Sequence, residues 1–171
     1  SLEILPREET PNASFTATGD NGGTLSNVDT NMRYSVDGGE TWNNITGTTM
    51  EITDVREEKD VKVYRIGDGT NTADSAVQTI DVTQAVFSDE IIDRINIKDC
   101  TTSDQNDGQV TGVDNTMEYA YIGYPSAVFP SVEWVEITGD TLTGLTSGVY
   151  LLRIKANGTQ LASSYASFII D

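Results

Sequence analysis

The sequence contains no histidine and only one cysteine, Cys100. Without histidine, the usual general base for a serine or cysteine nucleophile is missing, and so are common nitrogen ligands of zinc. A single cysteine cannot form a disulfide within the chain, and we interpret Cys100 as a small core hydrophobe. Paired carboxylates could still support glycoside hydrolysis, but no spacing singles out a pair among the 27 acidic residues. We therefore expect no enzyme, no catalytic residue, no metal and no cofactor.

Basic residues are also scarce, because ten Lys and Arg stand against 27 Asp and Glu, a formal net charge of −17. Such a chain repels phosphate backbones and anionic lipid surfaces, so nucleic acid is not an expected partner. Long apolar runs are absent as well, and we expect no membrane insertion. The chain starts at Ser1 and shows no signal peptide, so we expect a piece of a longer protein.

What the sequence does contain is an internal repeat. The stretch "GTLSNVDTNMRYSV" at 23–36 aligns without gaps on "GQVTGVDNTMEYAY" at 108–121. Further on, "VKVYRI" at 61–66 aligns with "VYLLRI" at 149–154, which equates Arg65 with Arg153. The other matched pairs include Gly23/Gly108, Asp29/Asp114, Met32/Met117, Tyr34/Tyr119, Trp42/Trp134 and Ser75/Ser163. We predict two domains, residues 1–86 and 87–171, joined without a flexible linker.

Each repeat consists of short stretches with an apolar period of two. They are rich in Val, Ile, Thr, Tyr and Phe and are separated by Gly, Asn and Asp, which is typical of strands. Asn157-Gly158 predicts a type I′ hairpin turn between the last two strands. About seven strands per repeat predict an all-β chain of two tandem antiparallel Ig-like or fibronectin type III-like β-sandwiches.

The stretch "TLTGLTSGVYLLRIKA" at 141–156 resembles the fibronectin type III pattern of Leu, a Gly turn, Tyr and an alternating strand. Both repeats also resemble the Ig-like repeats of secreted and cell-wall-attached proteins of Gram-positive bacteria, through "YSVDGGETW", "TGTT" and "LTSGVYLLRIKA". This resemblance implies an extracellular or cell wall-associated location. It also implies a spacer, an adhesive module or an accessory domain of a glycan-degrading enzyme.

The stretch "SVDGGETW" at 35–42 fits the Asp-box hairpin of sialidase-type propellers. In that hairpin the Asp accepts backbone N–H groups, the glycines supply the turn and the Trp packs over the loop. A propeller would repeat the box once per blade, whereas it occurs once here, and Ile122 replaces Asp37 in the second repeat. We interpret the box as structural.

Repeat 2 carries an aromatic insertion, "YAYIGYPSAVFPSVEW" at 119–134. Exposed rings stack on sugars, so Tyr121, Tyr124, Phe129 and Trp134 are candidate ligand-binding residues. The alternative is packing, since Trp134 recurs as Trp42, as a core tryptophan would. A spacer should bury Tyr124 and Phe129, whereas a sugar-binding protein should expose a row of rings.

Acidic turns such as "TSDQNDGQ" at 102–109 raise the question of calcium. Counted from Asp104, the spacing does not fit an EF-hand loop, and we interpret these turns as solvated. Our hypothesis is a non-catalytic bacterial surface module that acts as a spacer or adhesion domain. The alternative is a carbohydrate-binding accessory module. The candidate partners are a polysaccharide or a cell-surface protein, and we expect a monomer for the isolated chain.

Overall fold

The computed structural model describes residues 2–124 and 131–171. Within them lie sixteen strands and one short helix, so the predicted all-β class is confirmed. The strands of the first half are β1 (Ser14–Ala17), β2 (Gly23–Ser26), β3 (Met32–Ser35), β4 (Asn43–Asn44), β5 (Thr49–Ile52), β6 (Val61–Arg65), β7 (Gln78–Ile80) and β8 (Thr83–Gln84). After helix α1 (Asp89–Arg94) come β9 (Asn96–Lys98), β10 (Gly108–Thr111), β11 (Met117–Gly123), β12 (Val135–Glu136), β13 (Thr141–Leu145), β14 (Gly148–Ile154), β15 (Gln160–Leu161) and β16 (Ala166–Ile170).

The chain forms two compact units that do not coincide with two unbroken halves. Unit 1 comprises Ser1–Gln84 together with Ala156–Ala162, and unit 2 comprises Ala85–Lys155 together with Ser163–Asp171. A short segment of the second repeat therefore belongs to unit 1.

Unit 1 contains an antiparallel sheet of three strands, ordered β1-β2-β5, and one of four, ordered β4-β3-β6-β7. Both sheets contribute to one core. Phe15 and Leu25 enter it from the three-stranded sheet, and Met32, Val61 and Val63 enter it from the four-stranded sheet. Alternation along each strand places every second side chain in this core.

Unit 2 repeats the plan with sheets ordered β13-β10-β9 and β12-β11-β14-β16. Val110 and Leu145 meet Met117 and Leu152 in its core. Helix α1 precedes the first strand and was not predicted. Its cap is Ser88, whose hydroxyl accepts the N–H of Ile91, while Asp89 and Glu90 favour the positive end of the short helix.

The predicted pairing of the last two strands is confirmed, because β14 pairs antiparallel with β16, but the predicted type I′ turn at Asn157-Gly158 is wrong. Asn157 and Gln160 exchange both backbone hydrogen bonds at 2.9 Å, so the two central residues are Gly158 and Thr159. Of these only Gly158 has a positive φ, 57°, whereas a type I′ turn needs two. The following strand β15 then pairs in parallel with β8. The reason is burial, since Leu161 is fully buried in the core of unit 1.

The repeat alignment of the strands β6 and β14 is wrong by one residue. Arg33 pairs with Tyr64 in unit 1, and its counterpart Glu118 pairs with Arg153 in unit 2. The structural counterpart of Arg153 is therefore Tyr64 and not Arg65. A shift of one residue moves a side chain to the other face of a sheet, so the correction changes which residues can be compared.

No helix in the described ranges 2–124 and 131–171 is long and apolar enough to cross a membrane.

Candidate functional site

Two of the four aromatic residues predicted to bind a ligand, Tyr121 and Trp134, lie on opposite faces of one sheet. Tyr121 lies on the face of β11 that carries Met117 and Tyr119 toward the core. Trp134 contacts Arg153, which lies on the opposite face of the same sheet. Tyr124 follows β11 and is 60% exposed, more than the spacer hypothesis predicts. Phe129 lies outside the described residues.

Tyr121 supports a core tyrosine at the end of the sheet. Its hydroxyl donates to the carbonyl of Ser147 at 3.0 Å, and its ring centroid lies 4.9 Å from that of Tyr150. Tyr150 stacks on Phe168 with centroids 5.3 Å apart and donates to the carbonyl of Thr146 at 2.8 Å. Burial, with the neighbouring Tyr121 phenol, raises the pKa of Tyr150 to about 12. Although Tyr121 is half-exposed, much of its ring is used for packing.

Trp134 belongs to a cluster on the outer face of the four-stranded sheet, which we call the Trp134 cluster: Trp134, Arg153, Glu118 and Tyr165. The guanidinium carbon of Arg153 lies 3.9 Å from the Trp134 ring centroid. Its Nε donates to Oε1 of Glu118 at 2.7 Å, and the two charged side chains are only 8% and 12% exposed. The alternative interpretation of Trp134, packing in the core, does not describe its position, because the ring packs on a buried ion pair outside the core.

Tyr165 was not predicted as a site residue. It is 59% exposed, and its ring centroid lies 6.4 Å from that of Trp134. Beside the cluster, Lys155 Nζ lies 3.0 Å from Glu136 Oε2. The alternation of "YASFII" at 165–170 indicates that Tyr165 lies on the face opposite to the inward-facing Phe168. The sequence does not show which strand lies beside this one, and so it does not show that Tyr165 lies near Trp134. The cluster thus offers an exposed ring, a half-buried ring and ionic groups on one face.

Unit 1 places Trp42 at the equivalent position with a different partner. The Trp42 and Tyr64 rings meet edge to face with centroids 4.7 Å apart. Since Tyr64 is the counterpart of Arg153, an aromatic contact in unit 1 replaces a cation–π contact in unit 2.

The Asp-box loop has the structural role predicted for it. Asp37 Oδ1 accepts the N–H of Glu40 at 2.9 Å and of Thr41 at 3.0 Å, and Ser35 donates to the same oxygen at 2.7 Å. Gly38 and Gly39 have φ of 85° and 96°. The hydroxyl and N–H of Thr41, followed by the hydroxyl of Ser35, hold the pKa of Asp37 well below its usual value. The carboxylate is fully used in holding its own turn.

The acidic turn of repeat 2 is organised in the same way. Asp107 accepts the N–H and the hydroxyl of Thr101 at 2.8 and 2.6 Å, and those of Thr102 at 3.2 and 3.1 Å. Across residues 2–124 and 131–171, no group of three or more acidic, Cys or His side chains could hold a metal ion.

No protein-family model matches this chain, and no curated protein matches it. Solved structures with low sequence identity to the chain are similar to it, and they include fibronectin type III domains. The FN1–FN3 domains of chicken CNTN1 share 13% identity over 98% of this chain and 67% of theirs, with a TM-score of 0.32. The human OSCAR ligand-binding domain shares 13% over 96% of this chain and 100% of its own, with a TM-score of 0.30. A two fibronectin type III domain segment from chicken tenascin shares 15% over 94% and 98%, with a TM-score of 0.32. Similarity this distant does not decide the function of the chain.

Proposed function

We propose that the chain is a non-catalytic surface module of a larger extracellular bacterial protein, made of two Ig-like or fibronectin type III-like β-sandwiches. It acts as a spacer or adhesion domain. The sandwich assignment is supported by the two sheets of three and four strands that share one core in each unit. The bond from Tyr150 to the carbonyl four residues upstream is similar to the tyrosine corner of such folds.

The observation that carries this proposal is that the residues common to both repeats hold the backbone. A Cβ on Gly23 would lie 2.2 Å from the carbonyl oxygen of Thr16. Asp29 accepts the N–H of Asn31 at 2.8 Å, and Asp114 accepts that of Thr116 at 2.9 Å. What the duplication preserved is therefore a scaffold, as a spacer or display module requires.

Ser75 and Ser163, which occupy matching positions in the two repeats, also hold the backbone. The hydroxyl of Ser75 accepts the N–H of Arg65 at 2.8 Å and donates to the carbonyl of Ala76 at 2.7 Å. The hydroxyl of Ser163 accepts the N–H of Ile154 at 2.9 Å and donates to Ser164 at 2.6 Å. Both serines are buried, so their function is to satisfy the backbone where the last strand begins.

Glycan binding is the second candidate function, and the Trp134 cluster favours it. A pyranose presents apolar C–H groups that pack on aromatic rings, while its hydroxyls bond to charged side chains. Tyr165 and Trp134 supply the rings, and Glu136 and Lys155 supply the polar groups. Tyr124 adds a second exposed ring in the same unit.

Affinity electrophoresis against plant, host and bacterial polysaccharides separates the two functions. A glycan-binding module is retarded, and retardation is lost in a Trp134→Ala/Tyr165→Ala or a Tyr124→Ala/Phe129→Ala variant. Trp42→Ala is the matched control, because it removes the equivalent tryptophan of unit 1. A spacer or protein-adhesion module migrates unchanged on every polysaccharide. Retardation that all variants retain would contradict the aromatic site, and hydrolysis of any polysaccharide would contradict the non-catalytic proposal.

A further inference from the structure

Unit 2 contains an apolar groove between the edges of its two sheets. Its volume is about 190 Å³. Strand β9 ends one sheet and β16 ends the other, and α1 precedes β9. The groove is lined by Phe87, Ile92, Ile95, Ile97, Leu152 and Ala166, together with Ser167 and Phe168. A cavity of about 150 Å³ holds a benzene molecule, so this groove has room for one or two aliphatic side chains.

The equivalent edge of unit 1 is closed by a glutamine. Gln78 of β7 accepts the N–H of Ala13 at 2.8 Å and donates to the carbonyl of Ala13 at 2.9 Å. Its side chain thus satisfies the backbone beside β1 as a neighbouring strand would.

The position of Gln78 is taken by Ala166 in unit 2. Val63 pairs with Gln78, and its counterpart Leu152 pairs with Ala166. Ile95, two residues before Ile97, takes the place of Ala13, two residues before Phe15. Alanine has no amide group that could bond to the backbone of the opposite sheet. The edges of the two sheets are therefore joined by a side chain in unit 1, whereas Ala166 cannot join them in this way in unit 2.

The open edge also lacks the features that usually protect a sheet. In the part of the chain that the structure describes, β16 pairs only with β14, so one side of its backbone has no neighbouring strand. Its five residues "ASFII" include no Lys or Pro, and Ile169 is 54% exposed. Ile92 and Ile97 at the groove are 47% and 42% exposed. Such an edge is a template for one more strand.

We propose that this groove binds an extended, lysine- or arginine-rich segment of a partner protein, which adds to the edge of β16 as a further strand. Alternate apolar side chains of the segment enter the groove, while its main chain pairs with β16. Its basic side chains face the acidic surface of unit 2, including Asp89, Glu90 and Asp93 of α1. A second copy of this chain is a poor occupant, because each copy carries a net charge of −17. The groove uses no residue of the Trp134 cluster, so the inference is independent of glycan binding.

Fluorescence anisotropy with a labelled synthetic peptide that alternates valine with lysine tests this inference on the full chain. We expect saturable binding that weakens with salt. A peptide with glutamate in place of lysine should not bind. Ala166→Gln copies the clamp of unit 1 and should weaken binding by at least about tenfold, as should Ile92→Ala/Ile97→Ala. The second variant truncates exposed side chains and keeps the test valid if glutamine at position 166 disturbs the fold.

Val135→Ala is the matched control, because Val135 is 49% exposed on β12 at the opposite edge of the same sheet. It should bind the lysine peptide like the parent. The inference is overturned if the lysine peptide does not bind, if both groove variants bind it unchanged, or if the glutamate peptide binds equally well. It is also overturned if sedimentation velocity shows a dimer that Ala166→Gln abolishes, since the occupant would then be a second copy.

Discussion

The tryptophan at the equivalent position of each unit packs against a different chemical group, Tyr64 in unit 1 and Arg153 in unit 2. In unit 2 this arrangement requires a carboxylate, because a nearly buried guanidinium needs a partner of opposite charge. Glu118 supplies it from the neighbouring strand. The members of the Trp134 cluster therefore depend on one another. Glu118 holds the Arg153 guanidinium in place, and Arg153 in turn supports the Trp134 ring.

Glu118→Ala should destabilise unit 2 by about 3 kcal/mol, because it leaves the Arg153 guanidinium buried without its counter-charge. Urea unfolding followed by tryptophan fluorescence measures the loss. Glu136→Ala is the control, since the Glu136 side chain is 69% exposed in its pair with Lys155 and the pair should contribute less than about 1 kcal/mol. Equal effects of the two substitutions would contradict the importance of the buried pair.

The Asp-box should make unit 1 sensitive to acid. The pKa of Asp37 is lowered in the folded state from its usual 3.8, so its stabilising contribution is complete above about pH 5. The contribution is lost as the pH falls below that value, because protonation breaks the bonds from Thr41 and Ser35. Thermal unfolding between pH 5 and pH 2 should therefore show a smaller pH dependence for Asp37→Asn than for the parent. A variant with the parent's pH dependence would show that Asp37 contributes nothing to it.

At the scale of the element, the sequence predicted well where side-chain alternation is regular. Alternation runs through "MEYAYIG" at 117–123, which forms β11, and through "SFTAT" at 14–18 and "TMEIT" at 49–53, which contain β1 and β5. The sequence does not show which face of a sheet an aromatic side chain occupies, because that depends on strand register. Tyr121 and Trp134 are both aromatic and close in sequence, yet they lie on opposite faces of one sheet. Tyr165 was missed because its neighbour Trp134 is far away in sequence.

Gly148 at the start of β14 holds the contact between this strand and Tyr121. Its φ is 140°, and a Cβ there would lie 2.8 Å from the Tyr121 ring. Gly148→Ala should therefore cost about 2 kcal/mol, because it strains the backbone and displaces the ring. Gly139→Ala is the control in the same unit, since nothing lies within 4 Å of its Cβ position. The free energy of unfolding of Gly139→Ala, measured by chemical denaturation, should stay within about 0.5 kcal/mol of the parent's. A loss of the same size in both variants would contradict a specific role for Gly148.

At the scale of the whole molecule, the sequence repeat and the structural units differ by one segment. Residues 156–162 align with repeat 2 but lie in unit 1, where Ala17 donates its N–H to the carbonyl of Gly158 at 2.8 Å. Periodicity could not reveal this, because a buried Leu161 satisfies the same apolar pattern in either core. The two domains predicted with a boundary between residues 86 and 87 therefore stay a prediction, and residues 156–162 are the segment in which they differ most from the two units.

Leu161→Ala should destabilise unit 1 by about 3 kcal/mol, because it removes a fully buried side chain from the core of that unit. This is expected although Leu161 follows most of unit 2 in the sequence. Hydrogen exchange locates the effect. Protection should fall at Leu25 and Val63 of unit 1 more than at Val110 and Leu152 of unit 2. Ile169→Ala, at a residue that is 54% exposed, should change neither set. Loss of protection confined to unit 2 would contradict this assignment.

The position of the two tryptophans also has an optical consequence. The chain contains only Trp42 and Trp134, and unit 1 holds the first while unit 2 holds the second. Each unit therefore carries its own fluorophore, one beside a phenol ring and the other beside a guanidinium ion. In Trp42→Phe and Trp134→Phe variants, the remaining emission reports the unfolding of a single unit without any added label.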